Sequence, residues 1–217
     1  MAAQALSSVA DNALLIAAIA LIADLHGPDW MAPMMKWWFA LAYVVLAAFV
    51  GAFADTLPKG QVMFITNAVK MAGCALMFGC QSFGLSTDSQ LAAVFIAYTL
   101  VGVGAAAYSP AKYGIVTEML PPNDLVKGNS WIEGLTVISI IVGTVVGGLL
   151  INPTVSAALL SHDWISAVVD TRTEAAILLI GLVYLAAALT NLAIPRTNVT
   201  YPRQERNPVK LIAIFSN

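Results

Sequence analysis

The chain has 217 residues, of which 59% are hydrophobic and 10% charged, and its mean hydropathy is +0.83. That composition excludes an ordinary water-soluble domain and places the chain in membrane lipid. The formal net charge is −2, so there is no basic field to hold nucleic acid.

Six apolar stretches are long enough to cross about 30 Å of hydrocarbon. They cover residues 3–25, 37–54, 61–83, 91–120, 126–151 and 173–194. No Lys or Arg precedes the first, and Asp11 interrupts its run, so it is expected to be a retained span rather than a cleaved signal. Gln4, Ser7, Ser8, Asp11 and Asn12 recur on it at three- and four-residue steps, forming one polar stripe that faces protein or water. The link HGPDWMAPMMK follows, and DTLPKG separates the second span from the third. The third carries Asn67 and Lys70 three residues apart, together with Cys74 and Cys80. The cysteines lack metal or disulfide spacing and read as reduced packing residues.

The fourth span is longer than a straight crossing needs, and Ser109 and Pro110 interrupt its ladder at about two-thirds of its length, which predicts a kink or a tilt. Beyond PPND, the fifth span aligns Asn129, Glu133, Thr136, Gly143 and Gly147 on one stripe, where small residues permit close helix approach. The long link NPTVSAALLSHDWISAVVDTR leads to the sixth span. Such short, breaker-rich links predict that consecutive helices pack as antiparallel neighbours. Residues 1–195 thus form one six-span bundle, and 196–217 a cytoplasmic linker.

Basic residues in the links set the orientation. With the amino terminus inside, the inner links and tail hold Lys59, Lys127, Arg196, Arg203, Arg206 and Lys210, whereas the outer links hold only Lys36 and Arg172. A cytoplasmic amino terminus is expected, with Trp30, Trp37, Trp38 and Trp164 as an outer aromatic belt.

Four ionisable residues remain inside the spans: Asp11, Lys70, Lys112 and Glu133. Each lies roughly 10–13 Å from the cytoplasmic end of its helix at ~1.5 Å per residue. A charge at that depth costs a few kcal/mol unless it meets water or a partner. Lys70 either snorkels or pairs, and Glu133 either serves a buried structural contact or lines a path. Asp11 and Lys112 have small or polar neighbours, and a cavity position is expected for both.

ADNALL at 10–15, TLVGVGAAAYSPAKYGI at 99–115 and GTVVGGLL at 143–150 carry a resemblance that extends over almost the whole chain. It is to the amino-terminal half of the bacterial lysophospholipid transporter family within the major facilitator superfamily. The segment GAFADTLPKG resembles the superfamily's loop signature through Gly51, Asp55 and Lys59, departing from it at Thr56 and Pro58. Gly102, Gly104 and Ala105 keep the small-residue part of a drug-antiporter motif, while Tyr98 and Val101 replace its polar residues. Gly143, Gly147 and Gly148 match the antiporter glycines without the proline, so proton-driven drug antiport loses support.

The resemblance implies an all-α polytopic membrane protein, a six-helix bundle of two inverted three-helix repeats whose mate is a second six-helix bundle in a longer chain. It implies passage of lysophospholipid, with lysophosphatidylethanolamine as the favoured substrate, from the outer to the inner leaflet of a bacterial inner membrane. Asp11, Asn12, Ser109, Lys112 and Tyr113 are then the expected substrate and cavity residues, with Lys70 and Glu133 as charge partners. Gly51 and the glycines 143, 147 and 148 are expected to serve packing. Membrane lipid and an inner-leaflet acyltransferase are the implied partners. No cofactor is implied, and no Ser, His and Asp set, metal cluster or phosphate loop stands at a common depth to suggest an enzyme. A carrier of another amphiphile or small zwitterion, or a structural subunit, are the alternatives.

Overall fold

Hydropathy alone specifies helices here, since a backbone in lipid must satisfy its own hydrogen bonds. The computed structural model describes residues 1–55 and 57–195. The helices are α1 (Ala2–Asp24), α2 (Met31–Ala54), α3 (Lys59–Ser82), α4 (Thr87–Met119), α5 (Leu125–Ile151), α6 (Pro153–Leu160), α7 (Asp163–Ser166) and α8 (Arg172–Leu192). A 3-10 turn, Pro122–Asp124, leads into α5. By length and composition α1, α3, α4, α5 and α8 can cross a membrane, and α2, with 24 residues, has the length as well. The chain is an all-α, multi-pass membrane protein. The linker expected at 196–217 lies outside the described residues.

Local chemistry moves several boundaries from their expected positions. Helix α2 begins at Met31 rather than at residue 37, because Pro33 falls in the first turn, where a missing N–H costs nothing. Helix α4 begins behind Ser86, whose side chain accepts from the Ser89 N–H, and it continues through Pro110 to Met119 as one element. The long link is partly helical. The Asn152 side chain caps α6 by accepting from the Thr154 N–H at 3.0 Å, with Pro153 at its first position. Ile165 and Val169 then plug against Ala175 at the end of the bundle where α8 begins. Helix α8 opens on a capping box in which Thr171 and Glu174 each accept from the other's backbone.

Of the consecutive spans α3 and α4 pack closely, but most of the other large contacts skip along the chain. The large contacts join α1 with α5, α1 with α8, α2 with α4, α3 with α4 and α3 with α8, while α1 and α2 barely touch. This pattern has a symmetry. Exchanging α1, α2 and α3 for α4, α5 and α8 turns the α1 and α5 contact into that of α4 and α2. It turns the α3 and α4 contact into that of α8 and α1, and leaves α3 with α8 unchanged. With three crossings per unit, the two units have opposite orientations, and the bundle is a pair of inverted repeats that exchange their middle helices.

The apolar core lies where α1, α3, α4 and α8 converge, with Leu14, Leu21, Met77, Val94, Val101, Ile177 and Ile180 buried there. Glycines set the closest approaches. A Cβ on Gly143 would stand 2.5 Å from the Val9 carbonyl, and one on Gly147 would stand 2.9 Å from Ala13 Cα. Gly148, expected to pack in the same way, faces open space, as does Gly51. On α5 the small face is consumed by α1, while Val137, Ile138, Ile141 and Val145 point outward, a distribution that lipid tolerates.

Gly143→Val should therefore separate α1 from α5 and cost about 1–3 kcal/mol or more, since backbone rather than a flexible side chain obstructs the new methyl groups. Gly148→Val is the matched control. Thermal unfolding in detergent should show a clear loss for the first and little change for the second.

Candidate functional site

The first helices of the two repeats, α1 and α4, touch only lightly, and the space between them is a cavity of about 310 Å³. Ser7, Ser8, Asp11, Asn12 and Leu15 line it from α1, and Tyr98, Ala105, Tyr108, Ser109 and Lys112 from α4. Lys36, Phe39 and Tyr43 of α2 and Thr136 and Ile140 of α5 flank it, with Lys70 of α3 at its back.

At the back wall Lys70 is 1% exposed. Its Nζ donates to Asp11 Oδ2 at 2.7 Å and to Ser7 Oγ at 2.9 Å, and Ser7 Oγ donates to Asn67 Oδ1 at 2.8 Å. The buried Tyr184 hydroxyl donates to the second carboxylate oxygen, Asp11 Oδ1, at 2.7 Å. Rings of Tyr108 and Tyr184 lie 5.1 and 5.9 Å from the ammonium, within cation–π range. Gly104 makes room for this lysine, since a Cβ there would stand 2.7 Å from Lys70 Cγ. Burying a charge pair gains little net free energy, yet removing one partner is expensive. Lys70 thus pairs instead of snorkelling, and it ties α1 to α3 while Tyr184 adds α8.

Nearer the expected cytoplasmic side, the half-buried Lys112 places its ammonium 4.5 Å from the Tyr113 ring centre. The Tyr113 hydroxyl donates to the Glu133 carboxylate. Tyr113 and Glu133 are exposed and stand outside the cavity lining. Among the described residues no carboxylate lies within ion-pair distance of Lys112. Three lysines against one aspartate leave the lining with a formal charge of +2.

Outside the cavity, Lys59 donates to Asp55 at 2.5 Å and to the Ala54 carbonyl at 3.0 Å, and lies 4.0 Å from Glu118. This cluster joins the end of α2 to α3 and α4, with Gly114 leaving space for the lysine stem. At the opposite end Arg172 meets Asp24 at 2.6 Å, an exposed pair that contributes little to stability.

Of the residues expected at a site, Asp11, Asn12, Ser109, Lys112 and Lys70 come together around one cavity, while Gly51 and Gly148 have no close neighbour. Sequence reasoning missed Lys36, assigned to a link but carried by α2, and Tyr184, the lone hydroxyl-bearing aromatic in an apolar helix. It also missed the pairing of Gln4, which donates to Thr136 at 2.7 Å and so ties the polar stripes of α1 and α5 together.

The chain is thus a helical membrane bundle of exchanged repeats with a polar cavity between their first helices. The chain belongs to the Major Facilitator Superfamily, whose family model matches residues 1–216. It is similar to the protein named lysophospholipid transporter LplT of Klebsiella pneumoniae subsp. pneumoniae, at 41% identity over 202 residues, covering 93% of this chain and 44% of that protein. Proteins of the same name in Serratia proteamaculans and Pectobacterium carotovorum subsp. carotovorum are 40% identical over 215 and 213 residues. Those matches cover 99% and 98% of this chain, and 47% and 45% of the relatives. The chain spans about half the length of the curated relatives it matches.

Proposed function

We propose that the longer protein to which this half corresponds carries lysophospholipid from the outer to the inner leaflet of a bacterial inner membrane. The observation that supports it best is a cavity with a net cationic lining inside a bundle whose outer surface is apolar. Such a site suits a phosphate headgroup, while the acyl chain stays against apolar helix faces or in lipid. Relatives named lysophospholipid transporter supply the substrate class. Lysophosphatidylethanolamine is the favoured member, and no covalent chemistry is needed.

Lys112 is a cation available to the phosphate, whereas Lys70 is held by Asp11. Both Asp11 oxygens are engaged, so contact between Asp11 and an ethanolamine ammonium requires the Lys70 pair to open. A second six-helix bundle supplies the opposite cavity wall, and alternating access follows from rocking one bundle against the other. The amino terminus is cytoplasmic, as the basic links favour. An acyltransferase at the inner leaflet is the fitting consumer of the product.

The test is reconstitution of the full-length protein in vesicles, comparing lysophosphatidylethanolamine, its diacyl counterpart and a small zwitterion. The lysophospholipid should move fastest. Equal rates for all three would sink the selective carrier.

A further inference from the structure

Helix α2 has a single charged residue, Lys36, in 24 residues. It follows the first turn and is followed by two outward-facing tryptophans, Trp37 and Trp38. Lys36 nevertheless lines the same cavity as Lys112. Among the described residues no carboxylate lies within ion-pair distance of it. Asp24, an acid near that end of the bundle, is engaged by Arg172.

The two lysines occupy opposite ends of the space. Trp30 packs on Phe95 and Phe39 on Tyr98, and a Cβ on Gly102 would meet Phe39 Cα at 3.2 Å. Residue numbers rise together in these contacts, so α2 and α4 run parallel. In that register Lys36 stands level with about residue 99 of α4, and Lys112 is roughly 20 Å further along the axis at ~1.5 Å per residue. The rings of Phe39 and Tyr98, with centres 5.6 Å apart, stand at about the level of Lys36, and between the two lysines lies the Asp11 and Lys70 pair, level with Gly104. The middle ammonium is neutralised by its aspartate, whereas those at the two ends have no such carboxylate among the described residues.

We propose that Lys36 is a second phosphate-binding station, at the outer end of the cavity, which receives the headgroup of an outer-leaflet lysophospholipid before it reaches Lys112. This rests on the carrier reading above. A cation at the entrance attracts the phosphodiester and orients the headgroup inward. The occupied Lys70 between the stations keeps the phosphate from being trapped midway, because a path conducts only if no intermediate site binds too tightly.

The experiment uses the full-length transporter with lysophosphatidylethanolamine presented to its outer face. Lys36→Gln should raise KM about tenfold with a maximal rate close to wild type, and Lys36→Arg should restore most of the loss. An unchanged KM in Lys36→Gln, with wild type active, would overturn the proposal. Absence of transport by wild type would instead reject the carrier reading on which it rests. A second readout is independent of turnover. Lys36→Cys, in a background whose other cysteines are serine, should react with a membrane-impermeant thiol reagent from outside and be protected by lysophosphatidylethanolamine. No reaction or no protection overturns the station. Equal protection by soluble glycerophosphoethanolamine overturns the lipid source and assigns the phosphate to a soluble ligand.

Discussion

Lys112→Ala in the full-length protein should lower apparent substrate affinity about 10- to 100-fold, while the protein still inserts and melts near the wild-type temperature. The magnitude follows from one charge-assisted contact to phosphate, about 1.5–3 kcal/mol, at about 1.4 kcal/mol per tenfold. The fold should tolerate the change because Lys112 is only half-buried and leans on a neighbouring ring instead of holding a buried carboxylate. Lys112→Arg should retain partial activity, since charge is kept while the planar fork and bulk differ from an ammonium. A flipping assay with fluorescent lysophospholipid, paired with membrane-fraction quantification, separates the outcomes. Normal transport by Lys112→Ala would remove this residue from the headgroup path, and loss of the protein from the membrane would assign it to the fold.

Lys70→Ala should act differently and more severely. It strips the Asp11 carboxylate of its cation, leaves Ser7 without a donor and opens a void under Gly104, between the rings of Tyr108 and Tyr184. Breaking a buried pair on one side costs about 3–5 kcal/mol, so the expected result is poor accumulation and a strongly lowered melting temperature. Asp11→Asn should be costly for the same reason, as Lys70 then keeps a buried charge. In Asp11→Asn with Lys70→Met no formal charge remains, and the loss should be smaller than the sum of the single losses. Additive losses would show that the two residues stabilise the bundle separately. Transport should stay impaired in the double variant even where the fold recovers.

These contrasts mark what could be read from residue order. Membrane spans were legible because lipid demands long apolar helices, and Asp11 and Lys112 stood out because charge inside such a helix is costly. Depth along each helix even placed Asp11 and Lys70 at similar levels. Their pairing was not legible, since α1 packs mainly on α5 and α8 and meets α3 as sparsely as its successor α2, so that the pair rests on the reach of the long Lys70 side chain. Short links suggested neighbours in sequence, but the exchange of middle helices between repeats places α5 against α1 and α2 against α4. Lys36 was hidden for a local reason, namely that Pro33 can sit in a first helical turn. Gly148 looked equivalent to Gly147, yet one residue of rotation turns it about 100° away from α1. In the long link, Asn152 followed by Pro153 was a cap signal outweighed by the neighbouring breakers.

The exchanged repeats have a consequence for synthesis. Residues leave the ribosome in order, so α1 enters the bilayer long before α5 and α8, the helices that cover most of its inward face. During that interval its polar stripe has no permanent shelter, and Asp11 meets its first counter-charge only when Lys70 arrives with α3. On insertion scales an unpaired aspartate at mid-helix costs a few kcal/mol, enough to make early α1 a reluctant guest of the membrane. The expected consequence is that α1 stays beside the insertion machinery until the fifth crossing has emerged, with the α3 ammonium as its first clasp.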